Sequence, residues 1–224
     1  RMEAMLYALD QINKDRHLLP DISLGALILD TCSNPSYALE QSMLFVRSFI
    51  GDETWHHDKL HLPFHLFQMN PQCSSGKAEK AQPVAGVIGA AFSGVSIMVA
   101  NILRLFKIPQ ISYASTSTEL SDKSRFEYFS RVVPPDNFQA QAMVEIAKVM
   151  GWTYVSTVAA QGEYGEKGIA SFIALAKKEG ICVAINLKIN RNSQRDDFDQ
   201  IVDQLSSKPK ARAVVLFVDE DRTR

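Results

Sequence analysis

The feature that most constrains this chain is an alternation. Short, nearly continuous apolar runs are separated by stretches with helical spacing. The apolar runs are Leu24–Asp30 (LGALILD), Val84–Gly89 (VAGVIG), Pro109–Ser115 (PQISYAS), Tyr154–Ala159, Cys182–Ile189 and Ala213–Val218. Between them, residues 2–13, 36–50, 93–106, 137–150, 164–178 and 196–205 repeat their apolar positions at the period of an amphipathic helix. A strand that is apolar on both faces belongs to a sheet covered on both sides. Strands that alternate with helices are parallel. The expected fold is therefore α/β, with Rossmann-like parallel sheets.

The rhythm breaks once, over residues 116–135, where polar Ser117–Lys123 and then Phe129–Val133 lead to Pro134-Pro135. A double proline between two βα runs marks a crossover, so the chain divides into a first lobe, residues 1–135, and the beginning of a second, residues 136–224. Residues 51–82 carry little periodicity and read as a loop insertion in the first lobe. The chain opens in mid-helix with no signal-peptide pattern, and it stops after a strand that calls for another helix. Both ends read as internal to something longer.

Composition removes several function classes. With 24 Lys+Arg against 25 Asp+Glu the net charge is −1, which offers no electrostatic footprint for nucleic acid. The longest apolar stretch, Val95 to Ile111, is interrupted by Asn101, Arg104 and Lys107, so nothing here spans a bilayer. Three cysteines, Cys32, Cys73 and Cys182, cannot all pair within one chain.

Enzyme signatures are absent. There is no phosphate-binding loop, nucleophile elbow, H-E-x-x-H or C-x-x-C. Gly86 and Gly89 lack the third glycine of a dinucleotide motif, since Phe92 stands there, and Gly162, Gly165 and Gly168 read as a glycine-rich turn. His57, His61 and His65 are spaced four apart, which would suit zinc on a helix. Pro63 interrupts any such helix, and no Cys or acidic residue sits at ligand spacing, so the segment reads as a solvated loop with no metal. No cofactor is expected.

The stronger constellation lies at the strand ends, where open α/β sheets bind ligands. Ala90 to Gly94 follows one strand and opens a helix. Its free N–H groups and the Ser93 hydroxyl make an anion site, with Ser93 expected as the helix N-cap. Ala114, Ser115 and Thr116 end the next strand with a carbonyl and hydroxyls. Asp136 follows the double proline at the start of a helix, and Tyr164 lies between Gly162 and Gly165 at the end of a second-lobe strand. Together these residues place anion donors on one lobe opposite a carboxylate and an aromatic ring, an arrangement that fits a zwitterion.

The segments ALEQ (38–41), PVAGVIGAAFSGVSIMVANILRLFKIPQISYASTSTELSDKSRFEYFSRVVPPD (83–136), GWTYVSTVAAQGEYGEKG (151–168) and ICVA (181–184) resemble the extracellular ligand-binding domain of metabotropic glutamate receptors, which are class C G-protein-coupled receptors. Within that family, YASTS and SDKSR resemble the second pharmacological group or its invertebrate relatives. The resemblance implies a Venus-flytrap fold of the periplasmic-binding-protein type that closes on L-glutamate or a related amino acid. Ser93, Ala114, Ser115 and Thr116 would hold the α-carboxylate. Asp136 and Tyr164 would line the amino side, and Arg1 would grip the distal carboxylate. Phe92 departs from the tyrosine usual there, and Ala159-Ala160-Gln161 replaces a more acidic stretch.

The resemblance also implies a homodimer. Leu39, Met43, Ile102, Leu105 and Phe106 would lie at the interface, with Cys73 forming an intersubunit disulfide. Cys32 and Cys182 would pair outside the chain. It further implies a location on the extracellular face of the plasma membrane and signalling to a G protein through a membrane domain. A solute-binding protein for amino-acid transport shares the fold and is the alternative. The loop 51–82 with Cys73, and the orphan Cys182, weigh against it.

Overall fold

The structure, a computed structural model, describes residues 2–50 and 84–218, with side chains given outside 47–50. Arg1, Cys73 and the histidine-bearing loop lie outside the described residues.

Two three-stranded sheets organise the chain, each with every pairing parallel. The first contains β1 (Val87–Ile88), β2 (Gln110–Ser112) and β3 (Phe129–Arg131) in that spatial order. The helices preceding and within it are α1 (Met2–Lys14), α2 (Pro35–Ile50) and α3 (Ser93–Leu103). The second sheet has β4 (Tyr154–Ala160) between β5 (Cys182–Ile189) and β6 (Ala213–Phe217). Its helices are α4 (Asp136–Val149), α5 (Glu163–Lys178) and α6 (Arg195–Ser206).

Local chemistry sets the element ends. Asn34 Oδ1 accepts from the Ser36 and Tyr37 N–H groups at 3.0 and 3.2 Å and starts α2. Asp197 accepts from the Gln194 N–H at 2.8 Å at the start of α6. Each sheet has its own core. Ala38, Val46, Val95, Val99, Leu103 and Ile108 join α2, α3 and the first sheet. Val144, Val155, Ile169, Phe172, Ala176 and Phe217 join α4 and α5 to the second.

Glycine makes the second core possible. A Cβ on Gly165 would lie 2.1 Å from the Ala160 carbonyl oxygen, and one on Gly168 would lie 2.2 Å from the Phe217 ring. The triplet expected to form a turn therefore divides. Gly162, at φ 121°, makes the turn, while Gly165 and Gly168 lie inside α5 and let it sit directly on β4 and β6.

Two further expectations are corrected. Leu24–Asp30 forms no strand, and Leu27 and Ile28 are 54% and 43% exposed. An apolar run becomes a strand only where a ladder partner stands beside it, and the strands of the first sheet pair among themselves. The segment is held instead by Asn13, which donates to the Leu24 carbonyl at 2.9 Å and accepts from its N–H at 2.8 Å. In addition, the break before the double proline contains β3, which completes the first sheet. Three residues are too few to show a strand's periodicity.

Candidate functional site

The carboxyl ends of β1, β2, β3 and β4 carry the loops expected to bind a ligand. The β1–α3 loop is fixed from beneath by buried hydroxyls. Ser112 Oγ donates to the Ala90 carbonyl at 2.6 Å, and Ser115 Oγ donates to the Ala90 and Ala91 carbonyls at 3.1 and 3.2 Å. Ser96 Oγ lies 2.7 Å from Ser115 Oγ and accepts from the Ala90 N–H at 2.9 Å. Gln110 Nε2 adds a bond to the Gly89 carbonyl at 2.9 Å. These side chains are fully or almost fully buried, so the network is shielded from water. No motif points to Ser96, Ser112 or Gln110. The signal they do carry is that of polar residues set inside otherwise apolar elements.

Ser93 is 3% exposed and begins α3. It is not the N-cap. Phe92 holds that position with extended backbone and makes no side-chain cap bond. Ser93 Oγ instead accepts from the Ser117 N–H at 3.1 Å, tying the α3 terminus to the loop after β2. The first intrahelical donor is the Ser96 N–H, which reaches the Phe92 carbonyl at 3.0 Å. The preceding N–H groups of α3 keep the donor capacity that helix starts offer to anions.

Ala114 and Thr116 are half-buried in the same loop, whereas Ser115 is fully buried. The Ser115 hydroxyl is committed to the network beneath and its N–H donates to Ser112 Oγ at 2.9 Å, so Ser115 fixes the loop from below. The Thr116 carbonyl accepts from the Asp136 N–H at 2.8 Å. This bond holds Asp136, the first residue of α4, beside Thr116, the residue next to the Ser117 that Ser93 holds.

Asp136 is 1% exposed, and neither carboxylate oxygen has a hydrogen-bond partner among the described residues. Burial pushes its pKa above the ordinary aspartate value, and the nearby Thr116 hydroxyl and Arg131 guanidinium oppose that rise. A charge held this way calls for a cation.

Tyr164 is half-buried on the first turn of α5, its ring 5.9 Å from that of Phe217 and tilted by 55°. It therefore packs on the second core while keeping part of its surface at the β4 edge. Beside it, Glu163 brings a second perturbed carboxyl group. Its Oε2 is buried without a partner among the described residues. Burial raises its pKa, and so does the Glu119 carboxyl group from the loop after β2, while Lys167 pulls it down. Loops of the two sheets thus meet at this point.

The expected interface residues divide. Met43, Ile102 and Phe106 pack partly into the first core, Leu39 is half-buried, and Leu105 is 70% exposed. Cys32 and Cys182 are exposed free thiols. Among the described residues no cluster of metal-ligating side chains occurs, and no helix is long and apolar enough to cross a membrane.

Parallel sheets of this periplasmic-binding-protein-like kind are those of a ligand-binding module. Comparison with known protein families agrees. The model described as "Receptor family ligand binding region" matches residues 1–224, and the chain belongs to that family, a receptor ligand-binding region and not an enzyme. Its full length aligns with metabotropic glutamate receptor 8 of Homo sapiens and receptor 4 of Macaca fascicularis at 51% identity, covering 24% of each. It aligns with receptor 6 of Oryctolagus cuniculus at 47% identity, covering 25%. The chain thus spans about a quarter of the length of these relatives. They belong to the third pharmacological group, which corrects the expectation of the second.

Proposed function

We propose that this chain is the amino-acid-binding part of the extracellular region of a metabotropic glutamate receptor of the third pharmacological group. In this reading residues 1–135 and 136–224 belong to two lobes, and L-glutamate binds between them. Its α-carboxylate meets the start of α3, the Ser93 hydroxyl and Thr116, on the loop that Ala114 and Ser115 hold in place. Its ammonium meets Asp136, Tyr164 covers the amino side with its ring, and Arg1 takes the distal carboxylate. Closure of the second lobe is a population shift, driven by contacts that exist only when the lobes are shut.

The observation that carries the reading is that the start of α3 and the buried Asp136 are tied to adjacent residues of one loop, Ser117 and Thr116. One feature wants an anion and the other a cation, and an α-amino acid supplies both on adjacent atoms. The closed state would be passed to a membrane domain and a G protein. Leu39, Met43, Ile102, Leu105 and Phe106 would meet a second copy, with Cys73 bridging the two subunits and Cys32 and Cys182 pairing outside this segment.

The test is calorimetry of the full ectodomain with L-glutamate and other amino acids, alongside Ser93→Ala and Thr116→Ala. Each substitution removes a hydrogen bond to a charged group, so about a 10- to 100-fold loss of glutamate affinity is expected. Undiminished affinity in both variants overturns the site assignment.

A further inference from the structure

Arg131 ends β3 and turns its guanidinium into the protein. Nη1 donates to the Ser117 carbonyl at 2.7 Å and to the Ser115 carbonyl at 3.4 Å, and Nη2 donates to the Ser121 hydroxyl. These partners bracket Thr116, whose carbonyl holds the Asp136 N–H at 2.8 Å. One planar, five-donor group therefore spans the loop that carries the carboxylate-binding residues, a task that a single-point ammonium cannot perform.

The same guanidinium has an electrostatic role. It makes no contact ion pair among the described residues. Its field nevertheless reaches Asp136, which is buried with both oxygens unpartnered. The influence runs both ways. Burial lowers the Arg131 pKa and the Asp136 charge raises it, while burial raises the Asp136 pKa and Arg131 lowers it. Around Asp136, α4 contributes the carboxyl group itself, the loop after β2 the Thr116 hydroxyl, and β3 the Arg131 charge.

We propose that Arg131 is a positioning residue of the amino-acid cleft: it braces the Ser115–Ser117 loop, which holds the Asp136 N–H through Thr116, in the shape that the ligand carboxylate and ammonium require. The proposal rests on the cleft reading given above and adds a residue that need not touch the ligand.

The test follows L-glutamate affinity from pH 5 to 9 in the full-length protein and in Arg131→Gln, Arg131→Lys and Asp136→Asn variants. In the wild type, affinity falls on the acid side, as Asp136 takes up a proton. In Arg131→Gln both the brace and the charge are lost, so affinity is about tenfold weaker even at pH 9 and its acid-side fall begins at a higher pH than in the wild type. In Arg131→Lys the charge remains and the brace is lost. Its pH profile stays that of the wild type, with affinity about tenfold weaker at every pH.

Wild-type affinity in Arg131→Gln across the pH range, beside an Asp136→Asn variant that has lost binding, overturns this proposal alone. An Asp136→Asn variant that binds like the wild type overturns the cleft reading and this proposal with it. If Arg131→Gln does not fold, Arg131→Lys still decides the bracing role, because unchanged affinity there overturns it.

Discussion

Asp136→Asn should push stability and binding in opposite directions. The wild-type carboxylate is 1% exposed and has no hydrogen-bond partner among the described residues. Its folded-state pKa is raised above 3.8 chiefly by burial. A carboxylic acid with a raised folded-state pKa is protonated more readily in the native state than in the unfolded chain. Stability therefore falls as pH rises from the unfolded value through the folded one, and it stays low above both. Below pH 3.8 the acid is neutral in both states and asparagine imitates it, so the variant should match the wild type there.

At neutral pH the variant escapes the cost of a buried charge. It retains an unsatisfied polar group worth about 1–3 kcal/mol, so the net gain should be on the order of 1 kcal/mol. Glutamate affinity should meanwhile fall about 10- to 100-fold, the equivalent of one charge-assisted hydrogen bond of about 1.5–3 kcal/mol. Thermal melts from pH 3 to 8, paired with calorimetry, measure both. A variant less stable than the wild type at pH 7, or a gain that does not change with pH, would refute the reasoning about the buried charge. Full affinity at neutral pH would refute the ligand role.

Gly168→Ala places a Cβ 2.2 Å from the Phe217 ring and should cost about 1–3 kcal/mol by overpacking. Phe217→Leu in the same chain should return part of that loss, and double-mutant denaturation curves that simply add would count against direct contact. Glu163→Gln should raise stability at neutral pH and leave it unchanged below pH 4.5, since burial and Glu119 both raise the pKa of that group. A melting-temperature difference that is the same at pH 4 and pH 7 would exclude a charge effect.

Much of this fold is legible in the sequence because its strands carry the same apolar signal whether read locally or packed. Tyr154–Ala160 and Cys182–Ile189 emerge nearly as the periodicity gives them. The failures are also physical. Leu24–Asp30 has a buried strand's composition and no described strand to pair with, and pairing is a long-range property that no window of residues encodes. Phe129–Arg131 has the pairing and too few residues to declare it. At the site, Asp136 is legible as a helix-start residue, but its lack of a hydrogen-bond partner depends on side chains distant in sequence. Arg131 sits in the run Phe129–Val133 as the lone charge among apolar and small residues. A solitary cation in such a run is itself a sign that something polar waits at the strand end.

In the proposed cleft the two perturbed carboxyl groups divide the work of closing between them. Burial is the main cause of the raised Asp136 pKa, and a cation relieves it, so Asp136 stabilises whatever ammonium reaches it. Glu163 is opposed by Glu119 from the loop after β2, which also pairs with Arg125. Two carboxylates in contact repel unless they share a proton. Bringing the second sheet's loop against the first therefore either takes up a proton at the Glu163–Glu119 pair or carries an electrostatic cost there. A ligand at Asp136 has to outweigh that cost, because closure can be driven only by free energy that differs between the open and closed states. In the proposed reading the unprotonated Glu163–Glu119 pair opposes closure without a ligand, while the carboxylate that would reward ligand binding is that of Asp136, the residue that begins α4.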